Sequence, residues 1–364
     1  MEKDEHYCSA YVTSTQFCNW HFTPSELITL RSDCNAAALK RLQLTLETED
    51  NDTKYSSIGL DFDQELKIVK HYVYLMKVLF DKFTNPQLPN DVYGFAVTYF
   101  KRFYLNHSVM DFYPRDIMLT CLYIACKAAD FPIGLKTFIS HIPRNQERYT
   151  YLVLNSELFL LESLGYDLWV FTPYQALTGF VVDLVAYQRR ICRTQDESHL
   201  PDDRSDAQLV DELCKEGVNL INLWYQTDLC LTVHPSQFAL AVLVELGHAR
   251  PQLDVEVFVR DELCGCDPIQ KYKQHSDVDD EEEVSDVKPK NNIKCDPETR
   301  WQELSSRLDF IRQTVDEFQF ITDLGPVGEE EVILDKCRNP LYNLESDEYA
   351  EAKSKADKLM AMLE

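Results

Sequence analysis

The sequence predicts an all-α chain built as two tandem five-helix modules, and three observations carry that expectation. Apolar residues recur at helical spacing through most of the chain. Glycine is scarce, ten in 364 residues, while apolar residues make up 45%. The third is an internal repeat, set out below, which points to two copies of one helical unit. A chain so poor in glycine also leaves little room for phosphate-cradling loops.

In chain order, residues 1–55 read as a polar extension carrying one helix over 23–46. Thr23-Pro24-Ser25-Glu26 has the chemistry of a helix start: Thr23 as N-cap, Pro24 at the first helical position and Glu26 closing a capping box. Leu27, Ile28, Leu30, Leu39, Leu42 and Leu46 give that helix an apolar face, which either plugs a core or meets a partner. A first module spans 56–165. Its helix one runs from Asp61 to Phe83 on a wide stripe that includes Leu66, Val69, Tyr72, Val73, Met76 and Phe80. Asn85-Pro86 and Leu88-Pro89 end it. Helix two follows from Asp91 to Leu105 and helix three from Pro114 to Ala129, the latter almost free of polar side chains between Ile117 and Cys126 and so buried on most sides. A short helix over Leu135 to Ser140 and a fifth from Arg148 to Leu164 complete the module, with Gly165 as the stop.

Placing Pro114 on Pro235 aligns Ala96 with Gly217 through Ala128 with Ala249 without a gap. Val97 then matches Val218, Phe100 Ile221, Phe103 Trp224, Tyr104 Tyr225, Ile117 Phe238 and Leu122 Leu243. The second module, 166–322, should carry helices from Pro173 to Arg193, Ala207 to Tyr225, Pro235 to Ala249, Leu253 to Glu262 and Pro297 to Phe320. An acidic linker over 271–292 interrupts it. That linker has little apolar surface to offset its ordering entropy, and like charges repel, so it is expected to be flexible. The tail, 323–364, reads as disordered apart from a weak helix over Glu348 to Leu363.

The formal net charge of -25 argues against a nucleic-acid footprint, since phosphate binding needs clustered Lys and Arg. Much of the charge sits in 276–287 and in the tail, which leaves the folded part mildly acidic. No apolar run approaches the ~18 residues of a membrane span. The twelve cysteines read as reduced thiols. Cys18-x-x-His21 and Cys264-Gly-Cys266 each lack a second pair at zinc spacing, so no metal is expected. With no Walker A loop, no GxGxxG, no HExxH and no recognisable nucleophile dyad, the chain offers no catalytic residue and no cofactor site.

Two positions stand apart from the repeat. Lys127 closes helix three, where its mate in the second copy is His248; a cation there gains about 0.3 to 1 kcal/mol from the helix dipole whatever else it does. Glu157 has Val153, Leu154, Leu160 and Leu161 one turn away on either side. A carboxylate in such a face is either at the solvent rim or paired, because burying it alone is very costly.

These residues also carry a likeness. YFKRFYLN followed by MLTCLYIACK resembles helices two and three of a cyclin box, and Trp20 and Phe22 ahead of the 23–46 helix resemble the N-terminal extension found in one branch of the cyclin family. Ala125-Cys126-Lys127 and the glutamate of NSELFLLESLGYDL, Glu157, match the positions at which cyclins hydrogen-bond a kinase. Leu161, Tyr166 and Leu168 match apolar contact positions around them. The resemblance implies a non-enzymatic regulatory subunit that binds and activates a cyclin-dependent kinase of the CDK-activating type, with a third assembly subunit. It also implies a nuclear place within transcription factor IIH, acting on RNA polymerase II transcription and the cell cycle. The alternative is a double-cyclin-fold adaptor of the transcription machinery, another transcriptional cyclin or a transcription factor IIB-like protein. Three departures are visible. Ala128-Ala129-Asp130 keeps one acid after the lysine where cyclins usually have two, the helix-one acid expected to pair with Arg102 is replaced near Val73, and no MRAIL-like stretch for substrate docking stands on helix one.

Overall fold

The structure is a computed structural model that describes residues 10–49, 59–194, 206–265, 296–320, 325–343 and 346–360. It is helical, with no strand among the described residues, and divides into two compact units. Residues 15–171 with 319–364 form one; 172–318 with the segment up to Ser14 form the other. The linker expected over 271–292 lies outside the described residues.

The first unit is built around α5 (Pro114–Ala128), which is buried from Ile117 to Cys126. Pro114 opens α5 at a position where a missing N–H costs nothing, and Pro235 does the same for α11 (Pro235–Ala249). Around α5 pack α3 (Phe62–Phe80), α4 (Asn90–Asn106) and α7 (Gln146–Ser163), with α6 (Leu135–Ser140) against α7. Asp61 caps α3 through a reciprocal box with Gln64, at 2.8 and 3.0 Å. Cys121 and Cys126 are buried, and burial pushes the Cys126 thiol up to about 12, so both serve as small apolar fillers.

Two further helices precede this core. α1 (Thr15–Trp20) is a single short turn that sequence spacing gave no hint of. α2 (Pro24–Glu49) starts at the expected capping box, with Thr23 N–H donating to Glu26 Oε2 at 2.7 Å and Glu26 N–H to Thr23 Oγ1 at 3.3 Å. It packs on α3 and α4 through Leu27 and Ala38 while leaving Ile28 exposed, so one face plugs the core. Asn35 Nδ2 ties it down by donating to Leu60 O and to the buried Glu65 carboxylate, at 3.0 and 2.6 Å. Burial pushes the Glu65 carboxyl up, against the pull of Asn35 and of the Val109 amide.

The second unit repeats the plan. α11 is its centre, surrounded by α8 (Pro173–Thr194), α9 (Asp206–Trp224) and α13 (Pro297–Asp316). α10 (Leu229–Thr232) is a short turn before α11 that the sequence reading omitted. α12 (Val255–Phe258) ends sooner than the expected 253–262 helix and runs into a wider i→i+5 turn, closed by Cys264 N–H on Val259 O. Val255, Phe258 and Val259 are all buried, and the wider turn lets consecutive side chains face inward. α11 approaches α12 closely at Gly247, where a Cβ would stand 2.8 Å from Val255 Cβ. Overpacking of this kind costs about 1–3 kcal/mol, against about 1 kcal/mol gained in helix propensity. Gly247→Ala is therefore expected to lower stability by about 1 kcal/mol in urea unfolding, because a β-branched neighbour has no second rotamer to retreat to.

The tail corrects an expectation. Residues 323–364 read as disordered apart from a weak helix over Glu348 to Leu363, yet 325–343 form a strap with α14 (Gly328–Cys337) packed on α3; α15 (Asp347–Met360) follows, where the weak helix is expected. Val327, Leu334 and Cys337 are buried beneath it. Lys67 Nζ meets Glu330 Oε1 at 2.6 Å, Tyr72 OH donates to Glu331 Oε1 at 3.1 Å, and Asn339 N–H donates to Met110 O at 2.9 Å. The acids that argued for disorder are thus partly the strap's own anchors.

Candidate partner-docking site

On α5 the sequence Ala125-Cys126-Lys127 turns from core to surface: the first two side chains are buried and the third emerges at the C-terminal end. There the dipole favours its charge. α7 packs alongside, with Leu152, Val153, Leu160 and Leu164 buried. Glu157 lies at the edge of that stripe. Lys127 Nζ donates to Glu157 Oε1 at 2.5 Å and stands 4.5 Å from the Tyr123 ring centroid. The lysine side chain is 42% exposed and the glutamate 25%, so the pair is joined within the chain and still open to a visitor. The two alternatives left for Glu157 merge here: it is at the rim and it is paired, with Lys127 as the partner.

Leu161 is one turn beyond Glu157 on α7 and half-buried. Tyr166 and Leu168 lie past the end of the helix, which closes at Ser163. Tyr166 is 61% exposed and Leu168 half-buried. Gly165 ends α7 as expected, in the left-handed region at φ +59, and Tyr166 follows at φ +60. The segment is held from α4: Arg102 Nη1 donates to Asp167 O at 2.9 Å and Tyr99 OH to Leu168 O. Arg102 is fully buried, and one of its partners is this backbone carbonyl 65 residues away.

Sequence reasoning missed Tyr151, Leu158 and Trp169 and took Leu154 as a mere neighbour of Glu157; all four are large, apolar and exposed. A signal existed. Tyr151, Leu154, Leu158 and Leu161 follow i, i+3, i+7, i+10, a second apolar stripe on a helix that already spends one stripe on α5. At the repeated position in the second unit, His248 Nε2 lies 3.9 Å from Glu256 Oε1. Cys18 is exposed and His21 stacks on Phe17 at 5.2 Å; among the described residues no group of three metal-ligating side chains assembles. No described helix is long and apolar enough to cross a membrane.

A central apolar helix ringed by others, built twice, is an all-α plan consistent with two cyclin boxes. Residues 42–169 match the family described as the N-terminal domain of cyclins. A "probable cyclin-H" of Echinococcus multilocularis is 45% identical over 98% of this chain and 100% of its own length. The chain belongs to the cyclin-H family of cyclins. In fold it is similar to a chain of the CAK complex of Chaetomium thermophilum bound to ATP-γ-S, with a TM-score of 0.67 at 21% identity over 96% of this chain and 94% of that one. A chain of the yeast TFIIK (Kin28/Ccl1/Tfb3) complex gives 0.50 at 24% identity, over 69% and 91%.

Proposed function

We propose that this chain is the regulatory cyclin subunit of a CDK-activating kinase, working in the nucleus with a kinase, a third assembly subunit and transcription factor IIH. The solved chains that share its fold come from a CAK complex and from TFIIK with three named subunits, which supports that setting. The docking face is the half-exposed Lys127–Glu157 pair with Leu161, Tyr166 and Leu168 beside it, and that pair is the observation on which the reading rests. The unit that holds residues 15–171 supplies all of these residues; the second unit has a histidine, His248, where the lysine would be.

Activation then works by population shift. A kinase is competent when its β3 lysine pairs with its αC glutamate, and a partner that binds only that arrangement raises its share. Moving the balance from 1:99 to 99:1 takes about 5.5 kcal/mol of differential binding. Charge-assisted bonds to Lys127 and Glu157 supply orientation, at roughly 1.5–3 kcal/mol each, and buried apolar area supplies most of the affinity.

The test is capture. Full-length chain used as bait in nuclear extract should retain a cyclin-dependent kinase identifiable by mass, and adding purified chain to that kinase should raise phosphorylation of an RNA polymerase II tail peptide by at least about tenfold, given the equilibrium above. A captured kinase whose activity is unchanged by the chain counts against the proposal.

A further inference from the structure

Tyr166 and Leu168 stand on a segment, 165–171, that has no helix of its own to hold them. Its left-handed tyrosine is a conformation that side chains rarely adopt without outside restraint. Restraint comes from two sides onto one residue. From α4, buried Arg102 takes the backbone carbonyl of Asp167. From α1, Asn19 Nδ2 and Trp20 Nε1 both donate to Asp167 Oδ2, at 2.8 and 2.9 Å. The Trp20 ring also lies 5.0 Å from the Arg102 guanidinium, which closes the ring of contacts. Further along, the buried side chain of Gln16 pairs with both backbone groups of Phe171: Phe171 N–H donates to Oε1 at 2.6 Å, and Nε2 donates to Phe171 O at 3.4 Å.

We propose that α1 is a brace for the docking face, and that Asp167, gripped by Trp20 and Asn19 on one side and Arg102 on the other, is a positioning residue that sets Tyr166 and Leu168 in partner-ready geometry. The inference rests on the docking reading above. Its physical content is pre-organisation: a contact surface already fixed in its bound geometry binds more tightly because less ordering remains to be done on association. α1 then sets affinity for the kinase without touching it. The six-residue helix, too short to be stable alone, is in turn ordered by the segment it holds.

The experiment compares full-length variants by calorimetric titration with the purified kinase subunit of a CDK-activating kinase. Asp167→Ala should bind about tenfold more weakly, whereas Asp167→Asn, which keeps a carbonyl oxygen for both donors, should stay within about twofold. Hydrogen exchange at the amides of 166–169 should quicken in the alanine variant and not in the asparagine one, a local change that general destabilisation would not confine there. Trp20→Phe keeps the ring against Arg102 and removes one donor; it should weaken binding about threefold and serves where Asp167→Ala does not fold. Lys127→Ala separates the two levels. Should it bind as well as the unmodified chain, the docking reading fails; should it weaken binding while Asp167→Ala, or Trp20→Phe in its place, does not, the brace alone is overturned. Equal weakening by Asp167→Ala and Asp167→Asn also overturns the brace, since a lost charge would then explain both.

Discussion

Exchanging the two charges of the docking pair, Lys127→Glu together with Glu157→Lys, is expected to leave the chain folded and to lower its affinity for the kinase about a hundredfold or more. The fold tolerates the swap because the pair survives in reversed order and is part exposed, where such a bridge contributes about 0–1 kcal/mol. Its further costs are small: the acid now sits at a helix C-terminus, and the contact of Lys127 with Tyr123 is lost. For a partner the change is larger. Each group that donated now accepts, so two charge-assisted bonds worth roughly 1.5–3 kcal/mol each are replaced by like facing like, and a hundredfold corresponds to about 2.7 kcal/mol. Titration of the purified kinase reads the affinity, and a melting curve reads the fold. Retained activation by a well-folded exchange variant would falsify the assignment of these two residues.

Leu334→Asp should release the C-terminal strap and lower the stability of the first unit by about 3 kcal/mol. Leu334 is fully buried, and truncating a buried leucine costs about 2–5 kcal/mol even without placing a charge in the gap. A carboxylate in that position is costlier still, but the chain has an exit: the strap can leave α3, so the loss is bounded by the docking free energy of 325–343. That energy includes burial of Val327 and Cys337, the Lys67–Glu330 bridge and the two hydrogen bonds of Asn339, to Met110 and Asp111, at 2.9 Å each. Limited proteolysis should then cut within 325–343, and urea unfolding should begin earlier. A variant as protease-resistant as the parent would show that the strap is held by something other than Leu334.

The two outcomes bear on what a sequence can disclose. α5 and α11 were legible to the residue at their starts because proline at the first helical position is a local signal, and so was the Thr23–Glu26 cap of α2. The strap was not. Its helix has three acids in its first turn and only ten residues, too short to be stable alone; its order comes from the face of α3 it covers. Lys127 and Glu157 each stood out alone, one by its place at a helix end and the other by its apolar neighbours. That they answer each other depends on how α5 and α7 lie side by side, 30 residues apart. Arg102 was harder again: one of its partners is a backbone carbonyl, and every residue has one.

The twofold plan has a consequence for counting. α5 and α11 are both fifteen residues long and keep one register throughout, so the two units are built on matching central helices. A scaffold so doubled could have been bivalent, carrying two kinases per molecule. The substitution of His248 for a lysine, with its nearest acid at 3.9 Å on Glu256, removes the charged handle from one copy. On the proposed docking mode only the first unit carries the lysine–glutamate handle, so one kinase per chain is the expected loading.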